Sequence, residues 1–180
     1  MRPVALAFAG GIGSGKTTLS TEVAERLSWP RVAFGDYVRG VAIQRGIAAT
    51  RDRLQSLGAT LIDEQGWEGF CRSVLGQAMW QPGASIVVDG VRHAEVAVSL
   101  KHLVAPAIFL LVLIKTDPGI RAGRIAERGA AYEYALPISE THSTEEQVGD
   151  LLPSLADLVI DGSQPSYQSV AAITEWLSNQ

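Results

Sequence analysis

Five short apolar runs recur along the chain, and segments with helical spacing of apolar and polar residues alternate with them. The runs read VALAFA at 4–9, RVAF at 31–34, SIVVD at 85–89, AIFLLVLI at 107–114 and DLVI at 157–160. The pattern predicts helices over 16–27, 36–45, 52–58, 60–80, 93–103, 118–128, from 143 onward and over 166–178. Apolar runs without polar alternation are typical of strands that are buried on both faces. The alternation therefore predicts a three-layer α/β/α fold around a five-stranded parallel sheet.

Polar residues follow the predicted strands at their carboxyl ends. They are Gly10 to Thr17, Gly35-Asp36, Asp89 to Arg92, Lys115 to Asp117 and Asp161 to Ser163. The carboxyl ends of parallel strands lie at one edge of a sheet, where such folds bind their ligands. We therefore expect these five segments to surround one cleft.

The length and composition predict one globular domain over residues 1–180. The chain is 47% hydrophobic and 19% charged, which is ordinary for a water-soluble protein. Its one cysteine, Cys71, allows no internal disulfide and is typical of a reducing compartment. The longest apolar run, Ala105 to Ile114, is too short to cross a bilayer. We therefore expect a cytoplasmic protein with no membrane partner.

The charge is small overall but unevenly distributed. The net charge of −4 argues against nonspecific binding to nucleic acid, so a nucleic-acid partner is not expected. Residues 1–128 contain all 15 Lys and Arg residues against 11 acids, a net charge of +4, whereas residues 129–180 contain 8 acids. The cations either gather where phosphates bind or reflect ordinary surface patterning.

The segment Gly10–Thr17 matches the pattern G-x-x-x-x-G-K-[ST] between a predicted strand and a predicted helix. Its glycines allow backbone N–H groups to surround a phosphate, and the helix N-terminus adds the positive end of its dipole. Lys16 is expected to reach the β- and γ-phosphates, and the Thr17 hydroxyl to bind Mg²⁺. The pattern therefore predicts a site for ATP with Mg²⁺. The candidate ATP-binding residues are Gly11, Ile12, Gly13, Ser14, Gly15, Lys16, Thr17 and Thr18.

Four further segments resemble those of adenylate kinases in order and spacing. They are FGDYVRG (34–40), VVDGVRH (87–93), RAGRIAER (121–128) and VIDGSQP (159–165). Together with the glycine loop, these segments extend over nearly the whole chain. In this arrangement the chain resembles the nucleoside-monophosphate-kinase branch of P-loop kinases, a branch that includes the dephospho-CoA kinases. The resemblance implies a P-loop NTPase fold with a helical acceptor-site insert at about 36–80 and a short lid at about 129–142.

The same resemblance implies roles for individual residues. Asp36 would begin the acceptor-site helix, and Arg39, one turn on, would bind the phosphate of the acceptor. Arg92 would assist it, although the segment 87–93 is one residue shorter than in adenylate kinases and lacks their proline. The loop that packs on the adenine of ATP would comprise Asp161, Gly162 and Ser163.

Other charged residues supply what phosphoryl transfer requires, which is positioning and neutralisation of charge. Arg121, Arg124 and Arg128 are spaced i, i+3 and i+7, so they share one helix face. They are either lid arginines over the triphosphate or a solvated surface. Asp89 ends the third strand, where it would hold Mg²⁺ or cap a helix.

The acceptor side leaves two interpretations of Asp36 open. If the acceptor is an alcohol, Asp36 acts as a general base, and if it is a phosphate, Asp36 only organises the site. A helix cap is the third alternative. Arg51 and Arg53 either lie over the acceptor or begin a surface helix.

Taken together, these patterns predict a small-molecule kinase that transfers the γ-phosphoryl group of ATP to a nucleotide-like acceptor. A (deoxy)nucleoside monophosphate is the first choice, because two arginines flank the expected acceptor site, and a dephospho-CoA-like alcohol is the second. The rivals are an ATP-binding regulatory module or ATPase without a small acceptor, and a storage protein without turnover. Either a monomer or a homodimer is compatible with the pattern. Catalysis is assigned to Lys16, Asp36, Arg92, Arg124 and Arg128, and substrate binding to Asp36, Arg39, Arg51, Arg53, Asp89 and Arg92.

Overall fold

The computed structural model describes residues 2–127 and 151–180. In these residues five strands form one parallel sheet with the order β2-β3-β1-β4-β5. The strands are β1 (Val4–Gly10), β2 (Arg31–Ala33), β3 (Ile86–Val91), β4 (Ile108–Lys115) and β5 (Leu158–Asp161). The five-stranded parallel sheet that the sequence predicts is therefore confirmed.

Seven helices of the described residues connect and cover the strands. They are α1 (Lys16–Leu27), α2 (Phe34–Gln44), α3 (Arg51–Gly76), α4 (Ala94–Leu103), α5 (Pro118–Glu127), α6 (Leu152–Leu155) and α7 (Ser166–Ser178). Helices α1 and α7 have their predicted bounds, whereas α2 begins at Phe34, before the predicted start at Asp36. None of the helices described is both long and apolar enough to cross a membrane. The predicted lid at 129–142, Arg128 and the helix from Ser143 lie outside the described residues.

The sheet is covered by helices on both faces. Along β1, Ala7 packs in a hydrophobic cluster with residues of α2, α3 and α4, whereas Leu6 and Phe8 pack in a second cluster with residues of α1 and α7. Successive side chains of a strand point to opposite faces, so a strand that is buried throughout contributes to both clusters. All seven residues of β1 are buried. The predicted three-layer α/β/α arrangement is confirmed.

The strand register brings the polar segments to one edge of the sheet. In β3, Asp89 pairs with Phe8 of β1 on one side and with Ala33 of β2 on the other. The glycine loop begins two residues after Phe8, and α2 begins directly after Ala33. At the far side of the sheet, Lys115 of β4 pairs with Asp161 of β5. The five strands therefore end at the same edge, as expected.

Helix α3 differs from its prediction. The sequence pattern predicts two helices, with a break after Gly58, but the helix continues through that position and kinks at Gly66 instead. Gly66 has φ 68° and ψ 170°, a backbone conformation that is essentially restricted to glycine. The buried side chains of Leu57 and Leu61 hold the helix on both sides of Gly58, so tertiary packing outweighs the weak helix propensity of glycine.

The end of α3 also lies earlier than expected. The pattern places the end at about residue 80, before Pro82-Gly83, but the helix ends at Gly76. Residues 77–79 form a turn in which Met79 has a positive φ of 48°. The chain therefore leaves the helix before it reaches the proline.

Candidate nucleotide-binding and acceptor site

The glycine loop has the geometry of a phosphate-binding turn. Gly13 and Gly15 have φ of 75° and 91°, in the left-handed region that favours glycine. Gly15 is the N-cap residue of α1 and supplies no side-chain cap, so the first N–H groups of the helix point out of its N-terminus. A helix terminus of this kind binds anions through its N–H groups and its dipole.

Lys16 lies along the loop. It is 9% exposed, and its Nζ donates a hydrogen bond to the carbonyl of Gly11 over 3.4 Å. A hydrogen bond of this length is weak, so the exchange of this bond for one to a phosphate oxygen costs little. Thr17 and Thr18, the next two residues of α1, are exposed. Their hydroxyls therefore remain accessible to a ligand of the loop.

Two arginines of α5 hold the loop from its carbonyl side. Arg121 donates from Nε to the carbonyl of Ile12 over 2.7 Å, and Arg124 donates from Nη1 to the carbonyl of Ser14 over 3.3 Å. The Arg121 guanidinium carbon lies 2.8 Å from the position that a Cβ on Gly11 would take. The predicted common face of these two arginines is confirmed, and that face contacts the glycine loop.

A groove of about 330 Å³ lies between the glycine loop, the end of α5 and the loop after β5. Its lining residues include Gly15, Thr18, Arg124, Gly162 and Gln164. Gly162 is buried against the loop, because a Cβ there would lie 2.6 Å from the carbonyl oxygen of Ser14. The sequence segment expected to contact a donor base is thus next to the phosphate-binding loop.

Asp161 braces its own loop. Its Oδ1 accepts hydrogen bonds from the Ser163 hydroxyl over 2.6 Å and from the Ser163 N–H over 2.9 Å, and its Oδ2 accepts one from Gln164 over 3.3 Å. The Ser163 hydroxyl, followed by the Ser163 N–H and the Gln164 side chain, lowers the pKa of Asp161. Asp161 and Ser163 therefore shape the loop that presses Gly162 onto the glycine loop.

Asp89 is a buried carboxylate in which the described residues satisfy only one of the two oxygens. Its residue is 4% exposed, and its Oδ2 accepts a hydrogen bond from Nη2 of Arg31 over 2.5 Å. Its Oδ1 is buried and has no hydrogen-bond partner among the described residues. A buried acceptor without a donor is unfavourable, so this oxygen indicates a place for a ligand. The strand bulges directly after Asp89, at Gly90, as strands often do beside functional sites.

Asp36, in the first turn of α2, forms an ion pair with Arg39, one turn further along the helix. Arg39 donates from Nη2 to Oδ1 of Asp36 over 2.5 Å, and both side chains are about half exposed. The other oxygen, Oδ2, lies 3.7 Å from Nη1 of Arg31. Arg31 therefore lies between the carboxylates of Asp36 and Asp89.

The remaining acceptor-side arginines lie on neighbouring segments. Arg92 is half-buried and follows the last residue of β3, Arg51 is half-buried at the start of α3, and Arg53 is exposed in the same turn. Their contact with an acceptor stays a prediction.

The residues predicted to hold Mg²⁺ fit this ion. Asp89 Oδ1 can accept a hydrogen bond from a metal-bound water, and the Thr17 hydroxyl is exposed at the start of α1. Nowhere in residues 2–127 and 151–180 do three or more His, Cys, Asp or Glu side chains lie together as a metal cage. Mg²⁺ in kinases takes one or two protein ligands and completes its shell with phosphates and water, so a pair suffices.

Arg31 is the site residue that sequence reasoning missed. It begins β2, and it has the same charge as many ordinary surface residues. A signal was present, because a cation opens a strand of only three residues and an aspartate lies in the second half of the next strand along the chain. That signal becomes specific only when β2 and β3 are known to be neighbours.

A parallel sheet in this strand order, with a glycine-rich loop and a helix after its central strand, defines a P-loop α/β domain. The AAA domain family model matches residues 6–144, which is most of the chain. The protein belongs to this family.

The chain is also similar to archaeal proteins named UPF0200. It is 26% identical over 119 residues to a UPF0200 protein of Thermococcus gammatolerans, covering 65% of this chain and 62% of that protein. It is 29% identical over 154 residues to one of Pyrobaculum aerophilum, covering 86% of this chain and 81% of that protein. These names describe no activity.

Solved kinase structures share the fold. A sugar kinase from a Janibacter species superposes with a TM-score of 0.60 at 18% identity, covering 98% of this chain and 95% of that chain. Shikimate kinase from Aquifex aeolicus superposes with a TM-score of 0.57 at 17% identity, covering 98% and 97%. At these identities the likeness shows the P-loop kinase fold, and membership of the adenylate-kinase branch stays a prediction.

Proposed function

We propose that this protein is an ATP-dependent phosphotransferase that acts on a small nucleotide-like acceptor. The observation that carries the proposal is the register of the central strands. Phe8, two residues before the glycine loop, and Ala33, directly before α2, both pair with Asp89. A phosphate-binding loop, a buried carboxylate and the Asp36–Arg39 pair therefore lie next to one another. This juxtaposition is what transfer between two bound substrates requires.

ATP is the proposed donor. The N–H groups of the loop and Lys16 would bind the β- and γ-phosphates and neutralise the charge that develops during transfer. The groove of about 330 Å³ that begins at Gly15 is the proposed place for the adenine. Arg124 lines it, and a planar guanidinium group stacks favourably on an aromatic ring.

Mg²⁺ is the proposed metal. The Thr17 hydroxyl would bind it directly, and Asp89 would hold it through water. The ion would offset the negative charge of the phosphates. Oδ1 of Asp89, which accepts no hydrogen bond from the described part of the chain, supports this assignment.

A (deoxy)nucleoside monophosphate is the acceptor that we propose. Arg39 and Arg92 would bind its phosphate, and Arg51 and Arg53 would approach it from α3. Asp36 would then orient Arg39 through its 2.5 Å hydrogen bond. It would not need to remove a proton, because a phosphate acceptor is already anionic near neutral pH.

An alcohol is the second candidate acceptor, and the exposure of Asp36 favours it. Its Oδ2 lies 3.7 Å from Nη1 of Arg31, which is beyond hydrogen-bond distance. An acceptor hydroxyl can therefore approach this oxygen, and Asp36 would act as the general base that takes its proton. The sugar kinase and the shikimate kinase that share the fold are named for substrates that carry hydroxyl groups.

A coupled ADP-release assay tests the proposal. The wild-type protein is incubated with ATP and Mg²⁺, alone and with a panel of nucleoside monophosphates, dephospho-CoA, shikimate and sugar acids. We expect ADP release that depends on a monophosphate. Release that depends only on a hydroxyl acceptor would select the second candidate. Release that is unchanged across the panel would indicate an ATPase, and binding without release would indicate a storage protein.

A further inference from the structure

Arg31 contacts three parts of the proposed reaction centre. Its Nε donates to Oγ of Ser20 over 3.0 Å, its Nη2 donates to Oδ2 of Asp89 over 2.5 Å, and its Nη1 lies 3.7 Å from Oδ2 of Asp36. Ser20 belongs to α1, Asp89 to β3 and Asp36 to α2. The Arg31 side chain is only 20% exposed, so it connects these elements from within the fold.

The orientation of Arg31 is held by regular structure on two sides. Its backbone pairs with Val87 in the β2–β3 ladder, two residues before Asp89. Ser20 is fully buried, and its Oγ donates to the carbonyl of Thr17 over 3.0 Å, which leaves the same oxygen to accept from Arg31. A planar guanidinium fork reaches several acceptors from one such position, whereas a lysine ammonium group does not.

Arg31 fixes the orientation of the Asp89 carboxylate, because it holds one of the two oxygens. Since Oδ2 accepts the hydrogen bond from Arg31, Oδ1 is the oxygen that has no donor within residues 2–127 and 151–180. Rotation of the carboxylate would break the ion pair inside a buried site, which is costly. The guanidinium group thus fixes the orientation of the proposed metal-side carboxylate.

The same guanidinium group lies against the acceptor-side carboxylate. Asp36 is held on Oδ1 by Arg39 and approached on Oδ2 by Arg31. The linked side chains carry two positive and two negative charges, so they are balanced before any substrate binds. A cation bound at Asp89 or an anion bound at Arg39 would change this charge balance. Both aspartates would be affected, because Arg31 lies between them.

We infer that Arg31 is a positioning residue for phosphoryl transfer, which orients Asp89 on the metal side by a hydrogen bond and lies in ion-pair contact with Asp36 on the acceptor side. This inference rests on the proposed function. The hydrogen bonds described for Arg31 go to Ser20 and Asp89 and not to the glycine loop, so its replacement affects the chemical step more than ATP binding.

The test is the kinetic comparison of Arg31→Lys with Arg72→Lys. Arg72 is a matched control, because it forms an exposed ion pair with Glu68 on α3 over 2.6 Å. We expect Arg31→Lys to lower kcat by about 10- to 100-fold, as loss of a residue that orients a metal ligand does, with little change in the KM for ATP. Arg72→Lys should keep wild-type kinetics. An unchanged kcat in Arg31→Lys overturns the inference. A decrease in kcat that is fully explained by the unfolded fraction of the variant, measured by circular dichroism, also overturns it.

A second variant tests whether the loss of rate is caused by unfolding. Arg31→Met combined with Asp89→Asn removes both buried charges, so no unpaired charge is left to unfold the protein. We expect this double variant to fold and to remain slow. Wild-type kcat in it would contradict a role for the pair in transfer.

A nuclear magnetic resonance experiment keeps the inference testable if the wild-type protein shows no acceptor-dependent ADP release, which would be the failure of the proposed function itself. The ¹⁵N cross-peak of Arg31 Nε–H is followed in Asp36→Asn, Asp89→Asn and the control Glu68→Gln. We expect the first two variants to move the peak and the control to leave it in place. If the cross-peak stays in place in Asp36→Asn or in Asp89→Asn, the inference that Arg31 interacts with both aspartates is overturned.

Discussion

At the scale of single residues, two glycines allow the loops of the site to approach one another. A Cβ on Gly162 would lie 2.6 Å from the carbonyl oxygen of Ser14, and a Cβ on Gly10 would lie 2.8 Å from the carbonyl oxygen of Ile114. These obstacles are backbone atoms, so they cannot give way without moving a loop or a strand. Packing therefore requires glycine at both positions.

We predict that Gly162→Ala destabilises the protein by about 1–3 kcal/mol, because the added methyl group overfills a close backbone contact. The free energy of unfolding is measured by urea titration with circular dichroism. Gly40→Ala is the control, since a Cβ at this helical position meets nothing within 4 Å. Alanine should be neutral or stabilising there by up to about 1 kcal/mol. Equal stability of the two variants would contradict the packing argument.

Cys71 is a residue whose environment makes it unreactive. It is fully buried, and burial first, then the charge of Glu68, raises the pKa of its thiol from the ordinary 9.0 to about 12. The folded protein therefore keeps the proton that the unfolded chain loses above about pH 9. The contribution of this thiol to stability is full below pH 9 and decreases as the pH rises toward 12.

We predict that iodoacetamide does not label Cys71 in the native protein at pH 8, since the thiolate is the reactive form and the sulfur is inaccessible. Mass spectrometry follows the labelling with and without urea, and the unfolded sample is the control. Complete labelling of the native protein within the time needed for the urea sample would show that the prediction is wrong.

At the scale of elements, the kink of α3 determines how the helical insert is assembled. Just before the kink at Gly66, Gln65 donates from Nε2 to the hydroxyl of Tyr37 in α2 over 3.1 Å. Just after it, the ring of Trp67 packs against that of His93, the N-cap residue of α4, with 5.0 Å between the ring centroids. The kink allows the two halves of α3 to contact different neighbours.

We predict that Gly66→Ala lowers the free energy of unfolding by about 1–3 kcal/mol, the usual cost of a residue held in a glycine-only conformation. A Cβ at Gly66 meets no atom within 4 Å, so the backbone alone causes the loss. Gly58→Ala, in the regular part of the same helix, is the matched control and should gain about 0.5–1 kcal/mol. If Gly66→Ala and Gly58→Ala unfold at the same urea midpoint, the kink is not strained.

At the scale of the whole molecule, the site exists only when the sheet has formed. The glycine loop follows β1, Asp89 belongs to β3, and the α5 arginines that contact the loop follow β4. A ligand that binds across these elements therefore binds the folded state and stabilises the entire domain by mass action.

We predict that Mg²⁺ and ATP at 100 times the Kd raise the free energy of unfolding by about 2.7 kcal/mol. Thermal unfolding with and without the ligand measures the effect. Lys16→Ala should lose most of it, because the ammonium group no longer meets the phosphates, whereas Lys101→Ala, an exposed residue of α4, should keep it. The same upward shift in Lys16→Ala and in the wild-type protein would contradict the assigned ATP site.

Much of the fold was predictable because its signals are local. The bounds of α1 and α7 and the course of β1 follow from apolar periodicity over ten or so neighbouring residues. The kink at Gly66 was not, because Gly58 and Gly66 are the same residue type and each could break a helix. Only the packing of Leu57 and Leu61 distinguishes the glycine that stays helical.

The sequence by itself determined the three-layer arrangement and the phosphate-binding loop. The periodicity of apolar residues and the spacing of Gly10–Thr17 both act through neighbouring backbone groups. Only the tertiary structure decided that Arg31 joins Asp89 and Asp36. Asp89 is 58 positions from Arg31 and reaches it through the pairing of β2 with β3, whereas Asp36 is 5 positions away at the start of the next helix. Charges interact through distance in space. No pattern along the chain records that distance until β2 and β3 lie side by side.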